Sequence, residues 1–276
     1  MRRLAAGLAC LLVAAAFAAP FLWLLLASTK TGAEIAAGGL FPPGWTPRVA
    51  NYAEVFERMP LATQGANTAW IALANVLGAV FSGALVGFAF GRLRFFGRDL
   101  LFLLVLAAML LPPQVTMIPL FLLFRGLGWI DTALPLTVPA FLAGNGFHAF
   151  FVFLFRQYYL SLPRELEEAA RLDGAGWFGV FWRIFLPLSL PVAATVAVFA
   201  FVWTWNDFQL PLVFLHSPEN QTLALGLAAF QGGPYGNSDA HLLLAASVLV
   251  VLPCALLFLA AQGLFLRSIG VGGRKA

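Results

Sequence analysis

Asp207 is the clearest acidic residue within a strongly apolar stretch, and it stands among Trp203, Thr204, Trp205, Asn206, Phe208 and Gln209. An ionisable group in such a stretch usually faces a cavity or a partner. Aromatic rings beside amide and carboxylate groups suit a sugar, because rings cover its C–H faces and polar groups bond its hydroxyls. The same residues also fit an interfacial aromatic belt or a hinge, and Asp207 alone would fit a proton relay. Asn145, between Gly144 and Gly146, is a further polar candidate for the same path. A second cluster is polar and charged: Glu168, Ala169, Ala170, Asp173, Gly174, Ile184, Leu186 and Pro187, in a segment between two apolar ones. A helix-forming, glycine-ended segment in that setting looks like a docking element for a cytoplasmic partner, although an amphipathic helix on a membrane surface has the same pattern.

Other chemistries lack their residues. A phosphate-binding loop needs a lysine after a glycine. Lys30 follows Thr29, and the one other lysine, Lys275, is next to last. ATP is therefore not expected on this chain. His148, His216 and His241 lie at no ligand spacing, and Cys10 and Cys254 sit alone in apolar runs. No metal site or disulfide is expected. No HExxH, and no GxSxG with partners, supports an enzyme. The net charge of +4 is small and spread out, which gives no nucleic-acid surface.

The elements that must position these residues follow from composition. The 276 residues are 61% apolar and 10% charged, against about 25% charged in a soluble domain. A helix needs about 20 apolar residues to cross the bilayer core. Six stretches qualify, near 5–27, 67–90, 100–124, 134–155, 188–215 and 241–265. The expected fold is all-α, a polytopic membrane protein with six transmembrane helices in one domain over 1–276. The first stretch, after Met1-Arg2-Arg3, reads as a retained anchor because it is too long for a cleaved signal.

Basic residues set the orientation. Arg2, Arg3, Arg92, Arg94, Arg98, Arg156, Arg164, Arg171, Arg183, Arg267, Arg274 and Lys275 fall on one side. Lys30, Arg48, Arg58 and Arg125 fall on the other and complete the 16. Positive charge stays cytoplasmic. Both termini and the 91–99 and 156–187 loops are thus expected in the cytoplasm, with 28–66, 125–133 and 216–240 outside. No internal repeat is evident, which hints that a second chain supplies the other half of a pathway.

Within the 156–187 loop, Ser161-Leu162-Pro163 should cap a helix running from Arg164 to Leu172. Asp173-Gly174 should stop it, glycine supplying positive φ. A second helical piece then runs through Phe181, Ile184 and Leu186. Leu162, Leu166, Ala169 and Ala170 share roughly one face. In the second span, Gly83, Gly87 and Gly91 recur every four residues, a face for close helix packing. Pro112-Pro113-Gln114 and Pro119 should break the third span. Pro135, Pro139, Gly144 and Gly146 should break the fourth. Such breaks fit either a cavity or ordinary packed kinks.

The spaced pattern from Glu168 to Pro187, with Ala175 and Phe181, resembles the signature loop of ABC-importer permeases. Asn51-Tyr52, Asn67-Thr68, Gly91-Arg92-Leu93-Arg94-Phe95, Leu111-Pro112, Ile118-Pro119-Leu120, Trp205-Asn206-Asp207-Phe208 and Gly226-Leu227 resemble the carbohydrate, maltose-type branch. Pro113 and His148 look unusual for it. The resemblance implies a type I importer-like permease in the cytoplasmic (inner) membrane of a prokaryote. It implies a second permease subunit in a heterodimer, two copies of a P-loop ATPase carrying ATP and magnesium, and an extracytoplasmic substrate-binding protein that the 231–237 segment would touch. The 161–187 loop would be the coupling element that docks on the ATPase. The alternative is a stand-alone transporter driven by an ion gradient.

Overall fold

The computed structural model describes residues 2–39, 46–144, 146–232 and 240–272. Helices run in the order α1 (Arg2–Ala27), α2 (Gly32–Ala37), α3 (Ala50–Arg58), α4 (Leu61–Arg92), α5 (Arg98–Ala108), α6 (Pro113–Gly126), α7 (Leu134–Phe141), α8 (Gly146–Ser161) and α9 (Glu165–Leu172). They continue as α10 (Trp177–Val180), a π-helical turn (Phe181–Phe185), α11 (Leu186–Leu188), α12 (Leu190–Trp205), α13 (Gln209–Phe214), a 3₁₀ turn (Pro218–Asn220), α14 (Leu223–Gly232) and α15 (Ala240–Gly272). The described chain is all-helical, as expected. It forms two compact units, Met1–Gly65 with Leu223–Ala255, and Ala66–Thr222 with Leu256–Ala276.

Three helical stretches are long and apolar enough to cross a membrane: Ala6–Ala27, Leu61–Arg92 and Ala240–Gly263, with mean hydropathies of 2.4, 2.0 and 2.8. The first exposes its apolar side chains over most of its length, up to Ala27, which is buried, and this suits a helix solvated by lipid. Two further pairs qualify when each is taken as one bent span. Arg98–Ala108 and Pro113–Gly126 meet at 99°, and Trp177–Leu188 and Leu190–Trp205 at 73°.

The breaks have chemical causes. The expected third span stops at Ala108 and restarts at Pro113, which occupies the first helical position and needs no N–H partner there. Pro119 does not interrupt α6, contrary to expectation. The fourth splits between α7 and α8, where Pro139 O accepts from both Leu142 N (3.1 Å) and Gly144 N (2.8 Å) and Ala143 takes φ 52°. The expected continuous fifth span, 188–215, is bent at Ser189 and ends at Trp205, with α13 a separate short helix.

In the first unit, the Asn51 amide joins the end of α1 to α3. Its Nδ2 donates to Ser28 O and Lys30 O, both at 2.8 Å, while Tyr52 and Ser28 share a hydroxyl bond of 2.7 Å. Thr31 and Glu34 form a reciprocal cap at the start of α2.

In the second unit, the glycine face of α4 receives α8. A Cβ on Gly87 would stand 2.6 Å from Phe155 Cβ and 3.0 Å from Arg156 N. On Gly83 it would stand 3.0 Å from the Phe155 ring, and on Gly91 3.4 Å from Tyr159 Cβ. The resulting core holds Phe88, Phe151, Phe155, Tyr159, Phe181 and Phe185. Phe88 lies at its centre, with ring centroids 5.1 Å from Phe185 and 5.3 Å from Phe181. The segment after α9 is thereby rooted in the body of the unit.

Candidate functional site

Two places carry the candidate residues. The first is the loop from Pro163 to Pro187. Ser161 does not cap α9: its hydroxyl donates back to Tyr158 O at 2.7 Å and closes α8. The residue before α9 is Arg164, which makes no side-chain cap. Glu165, Glu167 and Glu168 in the first turn oppose the positive end of the helix dipole instead. The end of α9 is as expected. Gly174 takes φ 86°, Gly174 N donates to Arg171 O at 3.0 Å, and Ala175 N donates to Ala170 O at 2.9 Å. Those two bonds across a left-handed glycine satisfy the last carbonyls of the helix. Arg171 then lies over the Trp177 ring, 4.7 Å from its centroid, which fixes where α10 begins.

Leu162 and Ala170 pack on the core, as do Ala175, Ile184 and Leu186. Glu168, Ala169, Asp173 and Gly174 face outward. The expected apolar face is therefore narrower than predicted, with Ala169 on the open side. The structure adds two apolar residues to that open side. Leu172 is 89% exposed and Phe178 is 72% exposed, one before and one after the Gly174 bend. Leu172 follows Ala170 by two positions, which at helical spacing puts it on the opposite face. That was the available signal.

At the base of the loop lies a contact the sequence reading missed. Arg92, the last residue of α4, donates through Nη2 to the carbonyls of Tyr159 and Leu162, where α8 ends. Its Nη1 is 3.5 Å from Glu167 Oε2 of α9, and its guanidinium stands 4.9 Å from the Phe185 ring centroid. The arginine side chain is 4% exposed and the glutamate 14%.

The second place is a cavity of about 520 Å³ within the second unit. The proline breaks line it: Pro113, Pro135, Pro139 and Gly144 all face it. Two carbonyls of α7 accept side-chain hydrogen bonds from α4. Asn75 Nδ2 donates to Leu136 O at 2.7 Å, and Ser82 Oγ to Ala140 O at 2.8 Å. Of the predicted residues, Asn206, Asp207 and Gln209 reach the cavity, while Trp205 is buried and stacked on Phe201 with centroids 5.1 Å apart. Asn145 lies outside the described residues. Trp203, Phe147, His148 and Thr68 join the wall. Asp207 Oδ1 also accepts from Gln209 N (3.0 Å) and Leu210 N (3.2 Å), so the carboxylate caps the turn into α13. Gln114 and Gln209 meet at 3.5 Å. Among the described residues no group of three or more His, Cys, Asp or Glu could hold a metal ion.

A third polar knot joins the 127–133 turn to the 215–221 segment. Asp131, at φ 64°, accepts through Oδ1 from His216 N (2.8 Å) and Ser217 N (2.9 Å), and through Oδ2 from the Ser217 hydroxyl. These donors, the Ser217 hydroxyl foremost, hold its carboxyl far below the usual carboxylate range. Asn67 Nδ2 adds bonds to Glu219 O (2.7 Å) and Gln221 O (3.0 Å).

Comparison with known proteins places this architecture. The family model described as "Binding-protein-dependent transport system inner membrane component" matches residues 79–271. The chain is 37% identical over 260 residues to the arabinooligosaccharides transport system permease protein AraQ of Halalkalibacterium halodurans, covering 93% of this chain and 90% of that one. It is 32% identical over 265 residues to the melibiose/raffinose/stachyose import permease protein MelC of Bacillus subtilis, covering 96% and 94%. Its fold is similar to a chain in the crystal structure of a bacterial ABC transporter involved in the import of the acidic polysaccharide alginate, with a TM-score of 0.77, 24% identity, and 95% and 96% of the two chains covered. The chain belongs to the family of binding-protein-dependent transport system inner membrane components.

Proposed function

We propose that this chain is a permease subunit of an ABC importer that moves a sugar across the cytoplasmic membrane by alternating access. The chain forms one transmembrane domain with six spans and both termini in the cytoplasm. Separate P-loop ATPase subunits, two per complex, bind ATP and magnesium and dock on the 161–187 loop. A second permease chain completes a heterodimer, and an extracytoplasmic binding protein delivers the sugar. The sugar reading rests on what the relatives are named for, arabinooligosaccharides and melibiose/raffinose/stachyose among them.

The observation that carries the reading is the build of the loop. A short helix stopped by a glycine-dependent turn presents Glu168, Ala169, Leu172 and Phe178 outward, while its other face and its continuation are rooted in the core. A helix this short is marginal alone. Here it is held as a rigid knob with an apolar tip and a charged side, a shape suited to a groove on another protein. Closing of the ATPases on ATP would move the knob, and the spans would rock to expose the cavity on the other side. Within the cavity, Trp203 and Phe147 offer ring faces, and Asn206 and Gln209 offer hydroxyl partners.

The test is co-purification. The C-terminally tagged chain is extracted from native membranes in mild detergent and its partners are identified by mass spectrometry. A second permease and a P-loop ATPase should be recovered, and the ATPase should be lost when residues 165–175 are scrambled in a protein that still inserts. A homo-oligomer without ATPase would overturn the reading in favour of an ion-driven transporter.

A further inference from the structure

The ends of three helices and a buried ring meet at one guanidinium. Arg92 closes α4, and its Nη2 bonds the carbonyls of Tyr159, in the last turn of α8, and of Leu162, just after it. Its guanidinium carbon lies over the ring of Phe185, in the π-helical turn of the 161–187 loop that follows α10. A guanidinium suits this position because it is planar, always charged, and presents several donors in a fixed fork. Lysine would supply a point charge without the fork. Burying an arginine is costly unless it is paired and bonded, and the two carbonyls, the carboxylate and the ring supply those contacts to all of the guanidinium but Nε.

Arg92 Nη2 bonds both carbonyls, whereas Nη1 stands 3.5 Å from Glu167 Oε2, which makes no hydrogen bond. A charge-assisted N–H···O bond runs to about 2.7–2.9 Å. Arg92 Nε is likewise buried without a hydrogen-bond partner. The helix α9 can therefore shift against Arg92 by a fraction of an ångström and strengthen or weaken the pair, while Arg92 stays bound to α8. No other ion pair between α4 and the 161–187 loop is present among the described residues.

We propose that Arg92 is the positioning residue that transmits displacement of α9 to the second span, and that Glu167 is the carboxylate α9 presents to it. The proposal rests on the docking of an ATPase on this loop. It assigns separate tasks to adjacent glutamates: Glu168 faces outward to the partner, and Glu167 faces inward to Arg92. Motion of α9 reaches α4 through this pair, and the glycine face of α4 carries it to α8.

The experiment uses the complete importer in proteoliposomes and reads solute moved per ATP hydrolysed. Arg92→Gln should lower that ratio about tenfold, within the range typical of coupling between sites, while the ATPase still co-purifies and still turns over. Arg92→Lys should recover part of it. Glu167→Gln should lower it about fivefold. This variant leaves the two carbonyl partners of Arg92 in place, so it tests coupling even where loss of Arg92 disrupts the fold. Asp99→Asn, at an exposed carboxylate at the start of α5 outside the loop, should leave the ratio unchanged. Wild-type ratios in an assembled Arg92→Gln or Glu167→Gln complex would overturn the role of Arg92 and leave the importer reading standing. A wild-type complex with no bound ATPase would overturn that reading and this role with it.

Discussion

Ala175 donates its backbone N–H to the Ala170 carbonyl at 2.9 Å, across Gly174 at φ 86°. With the Gly174 N–H bond to Arg171 O, it turns the chain at the end of α9, between exposed Leu172 and exposed Phe178. The geometry depends on the glycine for conformation and not for space, because nothing lies within 4 Å of the position its Cβ would take. A left-handed residue with a side chain costs roughly 1–2 kcal/mol, with asparagine tolerated best. Gly174→Glu should abolish uptake in a reconstituted importer while the amount of protein in the membrane is unchanged. Gly174→Asn should retain most uptake. Normal uptake by Gly174→Glu would remove the coupling role of the turn.

The glycines of α4 should differ in tolerance. Gly87→Ala puts a methyl 2.6 Å from Phe155 Cβ and 3.0 Å from backbone, so helices must part. Overpacking of this kind costs about 1–3 kcal/mol. Gly91→Ala meets Tyr159 Cβ at an ordinary 3.4 Å. Thermal unfolding in detergent should show a clear drop in Tm for the first and little change for the second. Equal values would contradict the packing.

Asp131 makes stability depend on pH. Its carboxyl titrates well below the usual range because the Ser217 hydroxyl and the Ser217 and His216 amides bond the charged form. The folded value is thus below the unfolded one, about 3.9. Its stabilisation is present above the unfolded value and is lost as pH falls toward the folded value. Asp131→Asn should lower stability at pH 7, and the difference from wild type should shrink as the pH is taken below 4, read by unfolding of the detergent-solubilised protein. A difference that is constant with pH would count against the assigned bonds.

Asp207 separates capping from proton transfer. Asp207→Asn keeps an oxygen for the Gln209 and Leu210 amides, so uptake should persist. Asp207→Ala loses the cap and should reduce it. An ion-driven transporter relying on this carboxylate would lose uptake with asparagine as fully as with alanine. Trp203→Ala should raise the KM for uptake while assembly is intact, since its ring faces the cavity.

Local chemistry was legible in the sequence where one or two residues decide it. Gly174 announced the stop of α9, and the spacing of Gly83, Gly87 and Gly91 announced the face that meets α8. The break at Pro113 was likewise visible. Where several local options compete, the reading failed. Ser161 could cap the following helix or bond back into the preceding one, and α8 claims it through Tyr158 O. Pro119 lies in a helix that absorbs it, and the fifth span ends at Trp205 because Asp207 captures the amides of the next turn. The cavity was legible as a set of breaks but not as a wall. Trp203 and Trp205 lie two positions apart in one helix and so fall on opposite faces, and packing decides which of them meets the cavity: Trp205 stacks on Phe201 and Trp203 lines the wall. The Arg92–Glu167 pair joins residues far apart in sequence, so no local pattern foretells it.

The account's central claim is that the outward face of the 165–178 segment meets an ATPase. The most direct measurement is site-specific cross-linking at Leu172. With Cys10 and Cys254 replaced, Leu172→Cys carrying a short bifunctional reagent is expected to join this chain to the P-loop ATPase subunit, in a yield that changes when ATP is added. A cysteine placed at Leu4 on exposed α1 should not. Absence of any ATPase adduct at Leu172 in a complex that transports solute would contradict the claim.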